Sequence, residues 1–240
     1  NKRALFANQW QYRRGKSSTK EYKDFIKNHV DPIFHTWCQR AIERAWIRPR
    51  VAYGYFPCQS EMNDVIIYDP KDHAREICRI GFPRQIADKR RCIADFFLPK
   101  TTGQIDVVAF HVVTAGALAS EKCQELFKND QYMDYLHFYG LSVETAEALA
   151  EYWHKRIRQE LAISSQDGIT VDLLFRQTYR GERYSFGYPA CPNLEDQKYI
   201  FDLLKPEEIG VTLSSEYQLH PEQSTSAIIA HHPEAGYFSI

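Results

Sequence analysis

Asp106 to Thr114 constrains the fold more than any other stretch of this chain. It reads Asp-Val-Val-Ala-Phe-His-Val-Val-Thr, apolar almost throughout and rich in β-branched side chains, and Gly116 follows it. A run with so little polar surface is expected to be a central strand rather than an edge. Other strands are read around it. Ala52 to Ser60 is an aromatic strand entering a turn, and Asp64 to Asp69 is a β-branched strand ended by Asp69-Pro70. Ala74 to Ile80 is favoured as a third, broken by Gly81-Phe82-Pro83-Arg84. Thr212 to Gln218 alternates like a strand, and Thr225 to Ile240 reads as two short strands around a turn.

Helical patterns do not alternate strictly with these strands. A short helix is expected over Glu21 to Lys27. In Val30 to Ile42, Asp31 can cap, Pro32 can take the first helical position, and Ile33, Phe34, Trp37 and Ile42 share a face. A long helical region from Leu118 to Leu161 is expected to break near Gly140 and restart at Ser142-Val143-Glu144-Thr145. Its second half carries an apolar stripe of Ala146, Leu149, Ala150, Trp153, Ile157 and Leu161. Glu147 and His154 lie about two turns apart, on what reads as a solvated face. The pattern is that of an α+β fold with an antiparallel sheet. Residues 1–24 are polar and basic and read as an exposed N-terminal arm; 25–240 read as one domain.

Charge and cysteine content exclude several function classes. With 30 Lys+Arg against 31 Asp+Glu in 240 residues, bulk electrostatics gives no reason to expect a nucleic-acid partner. Six cysteines contain no C-x-x-C and no zinc spacing, so free, mostly buried thiols in a reducing compartment are expected, and no metal site. No apolar run is long enough to span a bilayer, and a cytoplasmic protein is the expectation. Dinucleotide, Walker, nucleophile-elbow and H-E-x-x-H motifs are missing. No side chain is singled out as a catalytic base or nucleophile. Aromatic side chains, 15 Tyr, 14 Phe and 4 Trp, are plentiful enough to wall a ligand site.

One decapeptide stands out as a candidate site: Arg183-Tyr184-Ser185-Phe186-Gly187-Tyr188-Pro189-Ala190-Cys191-Pro192. It lies between two polar, helix-like stretches, 169–180 and 193–204. Two prolines and a glycine predict a stiff irregular loop, with Gly187 free to take a positive φ. Arg183 offers a planar fork for a carboxylate or phosphate, or else pairs with a neighbouring acid.

This loop resembles the signature of the S-adenosylmethionine-binding reactivation domain of cobalamin-dependent methionine synthase. Further segments match in order: Asp31-Pro32-Ile33-Phe34-His35-Thr36-Trp37, Gly54-Tyr55-Phe56-Pro57-Cys58, Ile93-Ala94-Asp95-Phe96, Pro99-Lys100, Val113-Thr114-Ala115-Gly116, Ala146 to Tyr152, and His232 to Phe238. The resemblance covers nearly the whole chain from about residue 25. It implies a helmet- or C-shaped domain around a bent, twisted antiparallel sheet flanked by helices. It implies S-adenosylmethionine in a shallow groove, bound by Arg183 with Tyr184, Ser185, Gly187 and Tyr188, and flanked by Tyr237 and Phe238. Tyr188 would face the cobalamin. Two acidic positions of the family fall on Glu147 and Gln177. A ligand-binding aspartate is expected three residues before the proline, where this chain has His29; the nearest acid is Asp31. The implied activity is methyl transfer in methionine biosynthesis, by reductive methylation of cob(II)alamin. It requires a cobalamin-binding domain of the same polypeptide and a flavodoxin-like or ferredoxin-like electron donor. Two other readings are a non-catalytic cap on the cobalamin domain with weakened S-adenosylmethionine binding, and a free-standing methyltransferase.

Overall fold

The computed structural model describes residues 1–87, 89–168 and 170–240, with the backbone alone for Gln166, Asp172 and Phe175. Ile169, where the sequence begins a helix-like stretch, lies outside the described residues. Three strands open the sheet as a meander: β1 (Arg50–Glu61), β2 (Asp64–Asp69) and β3 (Asp72–Gly81). β4 (Asp106–Thr114) then returns beside β1, pairing from Arg50↔Thr114 to Cys58↔Asp106. β5 (Glu182–Ser185) is the far edge, β6 (Thr212–Leu213) and β7 (Leu219–His220) form a separate ribbon, and β8 (Ser224–Ala230) sits between β4 and β5. The main sheet has six strands in the order β3-β2-β1-β4-β8-β5, every pairing antiparallel.

β4 is central, as its composition demanded. Its period of two sends Val108, Phe110 and Val112 into a large core with Ile93, Phe96, Ile200, Ile228 and Phe238. The opposite face sends Ala109 against Ile157 and Ile229, with Tyr53, Tyr55 and Trp153 around them. β1 runs straight through the turn anticipated near Ser60, and Met62 makes the turn instead, at φ 57°. Pro57 is tolerated inside β1 because β2 pairing starts only at Cys58, so its missing N–H leaves no ladder bond unmade on that side.

Seven α-helices are described: α1 (Lys2–Ala4), α2 (Thr19–Phe25), α3 (Asp31–Glu43), α4 (Ala117–Lys128), α5 (Tyr132–Glu160), α6 (Val171–Phe175) and α7 (Gln197–Leu204). The expected break at Gly140 is absent, since α5 runs unbroken through it and the chain turns at 129–131 instead. Gly140 is there for close approach. A Cβ at that position would stand 2.7 Å from Gln9 Cβ and 2.9 Å from Trp10 Cδ1. Ser142 and Thr145 do not start a helix; their hydroxyls donate back to the carbonyls of Tyr139 and Leu141.

That approach also corrects the exposed arm. Leu5, Phe6 and Trp10 are buried with Trp37, Phe138 and Leu141 in a second core, and Trp10 Nε1 donates to the His137 carbonyl at 2.9 Å. Exposure is continuous over residues 1–3 and 13–21 of this stretch. Ser18 and Glu21 form a capping box that starts α2. α2 continues through a π-helical turn, Ile26–Val30, into α3, so Val30 is already helical and Asp31 is the first residue of α3 rather than its cap. On α3, Ala41 takes the buried position and Ile42 points to solvent, because the stripe follows i, i+4, i+8 from Ile33.

Three further expectations change at the C-terminal end. The polar stretch from Asn193 is helical as expected, but the one before the decapeptide supplies only the short α6. Thr212 to Gln218 is not one strand, because the Ser214 hydroxyl accepts from the N–H groups of Glu216 and Gln218 and curls the chain into a turn. The tail holds a single strand, β8, after which Phe238 is buried against Phe96 and Tyr184. All six cysteines are free.

Gly140→Ala should gain helix propensity of about 1 kcal/mol and lose more to overpacking, about 1–3 kcal/mol. Urea unfolding should show net destabilisation, and loss of Trp10 burial should show in tryptophan fluorescence. A stabilised variant would mean that residues 2–10 do not pack as described.

Candidate functional site

β5 corrects the loop reading of the decapeptide: Arg183, Tyr184 and Ser185 are strand residues, in register with Ile229, Ile228 and Ala227 of β8. Their apolar β8 partners supply the ladder that the decapeptide alone could not reveal. The loop proper begins at Phe186. There Gly187 takes φ 87°, its N–H donates to the Cys191 carbonyl at 2.8 Å, and Cys191 N–H donates back to the Tyr188 carbonyl at 2.8 Å. A Cβ on Gly187 would lie 2.9 Å from Leu194 Cδ2, so both conformation and space require glycine. The closed turn pushes Tyr188 outward, 56% exposed.

A trough of about 190 Å³ lies along this edge, lined by Glu147, Gln177, Glu182, Arg183, Tyr184, Ser185, Tyr188, Ala190 and Tyr237. A second trough of about 360 Å³ shares Glu147 and Arg183 and extends along α5 past Glu144 and Glu151 towards Asn1. Of the residues singled out by sequence, Arg183, Tyr184, Ser185, Tyr188, Tyr237, Glu147 and Gln177 therefore come together. Three stand apart. Gly187 shapes the turn without lining the trough. Phe238 is in the core beneath. Asp31 is held by Lys2, whose Nζ donates to it at 3.0 Å. Sequence reading missed Glu182 and Glu151. Glu151 was reachable, because it follows Glu147 by four residues on the same helix.

Arg183 meets both alternatives set for it. Its Nη2 is 3.6 Å from Glu147 and its Nε 3.8 Å from Glu151, so it is paired with acids. Both distances exceed hydrogen-bond reach, which leaves the pairing Coulombic and the fork uncommitted. The side chain is 19% exposed. Its Nη1 is buried without a hydrogen-bond partner among the described residues.

Behind Arg183 lies a buried polar cluster. Arg158 pairs with Asp167 through two bonds, 2.9 and 3.0 Å, and its guanidinium stacks 3.8 Å from the centre of the Tyr179 ring. The Tyr179 hydroxyl donates to Glu151 at 3.3 Å. This brace fixes the segment carrying Gln177 onto α5. His154 is fully buried, not on a solvated face, and stands edge-on to Tyr179. His111 of β4 is fully buried too, and neither ring has a hydrogen-bond partner among the described residues. Burial, then the nearby Arg183 charge, depresses His111 to about 3. Burial first, then Arg158, Arg183 and His111, holds His154 well below the ordinary histidine range. Both rings are neutral near pH 7. Among the described residues no three His, Cys, Asp or Glu are grouped to hold a metal, and no helix is long and apolar enough to cross a membrane.

An edge-strand trough walled by one arginine, an acid from a crossing helix and three tyrosines has the geometry of a small-molecule site. The chain belongs to the family described as the activation domain of vitamin B12-dependent methionine synthase, whose model matches residues 14–240. Methionine synthase of Mycobacterium tuberculosis is 44% identical over 252 residues, covering 99% of this chain and 21% of that protein. The Mycobacterium leprae methionine synthase is 42% identical over the same shares. The chain thus spans about a fifth of the length of these relatives. A crystal structure of the MetH reactivation domain bound to AdoHcy superposes with a TM-score of 0.88 at 25% identity, covering 98% of this chain and 74% of that one.

The two buried histidines set a pH dependence. The unfolded chain protonates them near pH 6.5, whereas the native state resists down to about 3 at His111. Their stabilising contribution is complete above about pH 6.5 and is lost on acidification, on the order of 1 kcal/mol per pH unit per histidine. Thermal melts from about pH 7.5 to 5 should show this fall. The His111→Gln/His154→Gln double variant should show a shallower slope; an unchanged slope would place the titration elsewhere.

Proposed function

We propose that this domain binds S-adenosylmethionine in the trough beside β5 and presents its methyl group to a cobalamin carried by another domain of the same polypeptide. One observation carries the reading. Arg183, Glu147, Gln177, Ser185, Tyr188 and Tyr237 converge on one open trough, in a chain whose structural neighbour is described as bound to AdoHcy.

The ligand carries a carboxylate, an ammonium, a sulfonium and a purine, and the trough offers a partner for each. Arg183, loosely held, turns its fork to the carboxylate. Glu147 faces the positive groups. The Arg183 N–H points away from β8, towards the Glu182 carboxylate, so strand alternation turns the Ser185 backbone outward as well, able to read a purine edge. Tyr237, half-exposed, supplies an aromatic wall.

The exposed Tyr188 ring, on its rigid turn at the outer side of the trough, would be the residue to meet a cobalamin held by a partner domain, and that cofactor would supply the metal centre for the methyl group. The domain's own contribution is orientation: it fixes the methyl donor at the mouth and needs no nucleophile of its own. Regenerating the active cofactor calls for an electron donor, for which a flavodoxin-like or ferredoxin-like protein is proposed. Within the whole polypeptide this activity serves methyl transfer to homocysteine.

Titration calorimetry with S-adenosylmethionine tests the site. Arg183→Ala should weaken binding by about 1.5–3 kcal/mol, towards the lower end because the arginine must leave Glu147 and Glu151. Unchanged affinity would defeat the assignment of Arg183. A wild-type chain that does not bind would favour a cap module.

A further inference from the structure

Glu182 is a buried acid with no ion pair among the described residues. Its side chain lines the trough, yet the residue is only 3% exposed. Among the described residues no Lys, Arg or His forms an ion pair with it. Its carboxylate accepts from the Arg183 N–H at 3.1 Å and faces the Tyr237 N–H. A buried carboxylate held by backbone N–H groups alone is costly, and such acids next to cavities mark binding or catalysis.

The other acids of the site each have a cation within ion-pair distance. Glu147 and Glu151 flank Arg183, and Asp31 is taken by Lys2. Position explains why Glu182 stays free. Strand alternation puts Glu182 and Tyr184 on the face of β5 opposite Arg183, and the Arg183 guanidinium reaches across to α5. Because β5 is the sheet edge, residues of both faces reach one trough. Glu182 also touches both segments that wall it, β5 through Arg183 N–H and the tail through Tyr237.

We propose that Glu182 is an additional ligand-binding residue of this trough, the acid that makes it favour a ligand with a positive sulfonium over the neutral thioether left after methyl transfer. The inference rests on the S-adenosylmethionine reading above. The two ligands share carboxylate, ammonium and purine, so only the charge at sulfur separates them. An acid low in dielectric and short of a cation is suited to sense that charge. Selectivity of this kind releases the spent donor after each transfer.

The ionisation of Glu182 gives a readout that packing alone would not move. Burial pushes its carboxyl up to about 7; the Arg183 N–H and guanidinium oppose, and Glu151 of α5 adds to the rise. Tyr184 from its own strand and Tyr179 from the braced segment are the other titratable groups facing it. A cation entering beside Glu182 favours the carboxylate, so a protonated Glu182 must first release its proton. Affinity for the sulfonium ligand therefore rises with pH through neutrality.

The test is titration calorimetry of this chain and its Glu182→Gln variant with S-adenosylmethionine and S-adenosylhomocysteine. Wild-type affinity for the sulfonium should rise about tenfold between pH 6 and 8, with the thioether nearly flat. Glu182→Gln should lose about tenfold for the sulfonium, lose its pH dependence, and change by less than about twofold for the thioether. Equal losses for both ligands, or an unchanged ratio, would overturn the proposal and leave Glu182 a structural tie. A flat wild-type pH profile would overturn it without any variant. Binding of neither ligand by the folded wild type would instead refute the site itself, and this inference with it.

Discussion

The four-residue ladder between β5 and β8 is the contact on which the site depends. It adds one short strand to the edge of a sheet already made rigid by β4. Without it, Arg183 would sit in a loop with no fixed direction. With it, alternation turns Arg183 towards α5 and Glu182 and Tyr184 towards the tail. A short edge strand is weakly held by its own hydrogen bonds. Here it is secured by side chains: the Tyr184 ring stacks on Phe96, and its hydroxyl donates to the Gly236 carbonyl. The site is thus bolted to the main core through its own strand.

The second support is α5. It runs from the N-terminal core, at Phe138 and Gly140, to the back of the sheet, at Ile157. Packing at both ends fixes its rotation, so Glu147 and Glu151 must face β5. A break at Gly140 would have uncoupled the two ends. Glycine instead lets Trp10 come close, and the helix gains a partner where propensity alone predicted a stop. The same geometry buries His111 and His154 opposite each other, a polar layer in an otherwise apolar contact. Interiors seldom tolerate such groups, and where they do, the neighbourhood is often functional.

Membership of the methionine synthase activation family gives this architecture its context. The chain amounts to about a fifth of its relatives' length, and the function proposed above sets it beside a cobalamin-bearing domain. Its groove is shallow and open, and its aromatic rim at Tyr188 and Tyr237 is half-exposed. A closed pocket would hold a ligand more tightly but could not present it to a second domain. Openness is what the proposed transfer of one group to a partner domain would require.

By itself the sequence determined what short-range chemistry controls. The apolar run of β4 had to be buried on both faces, Gly187 near two prolines was free to take a positive φ, and the matching motifs pointed to Arg183, Glu147, Gln177, Tyr188 and Tyr237, which share one trough, but also to Asp31 and Phe238, which lie outside it. Only the tertiary structure decided the rest. Whether Gly140 breaks a helix depends on Trp10, more than a hundred residues away in sequence. Whether Arg183 lies in a loop or a strand depends on β8, which follows it in the chain. Asp31 was the nearest acid in sequence, yet Lys2 holds it, while Glu182 stands beside the trough. Carboxylates look alike in a sequence; burial and the distance to the nearest cation distinguish them, and both are properties of the folded chain.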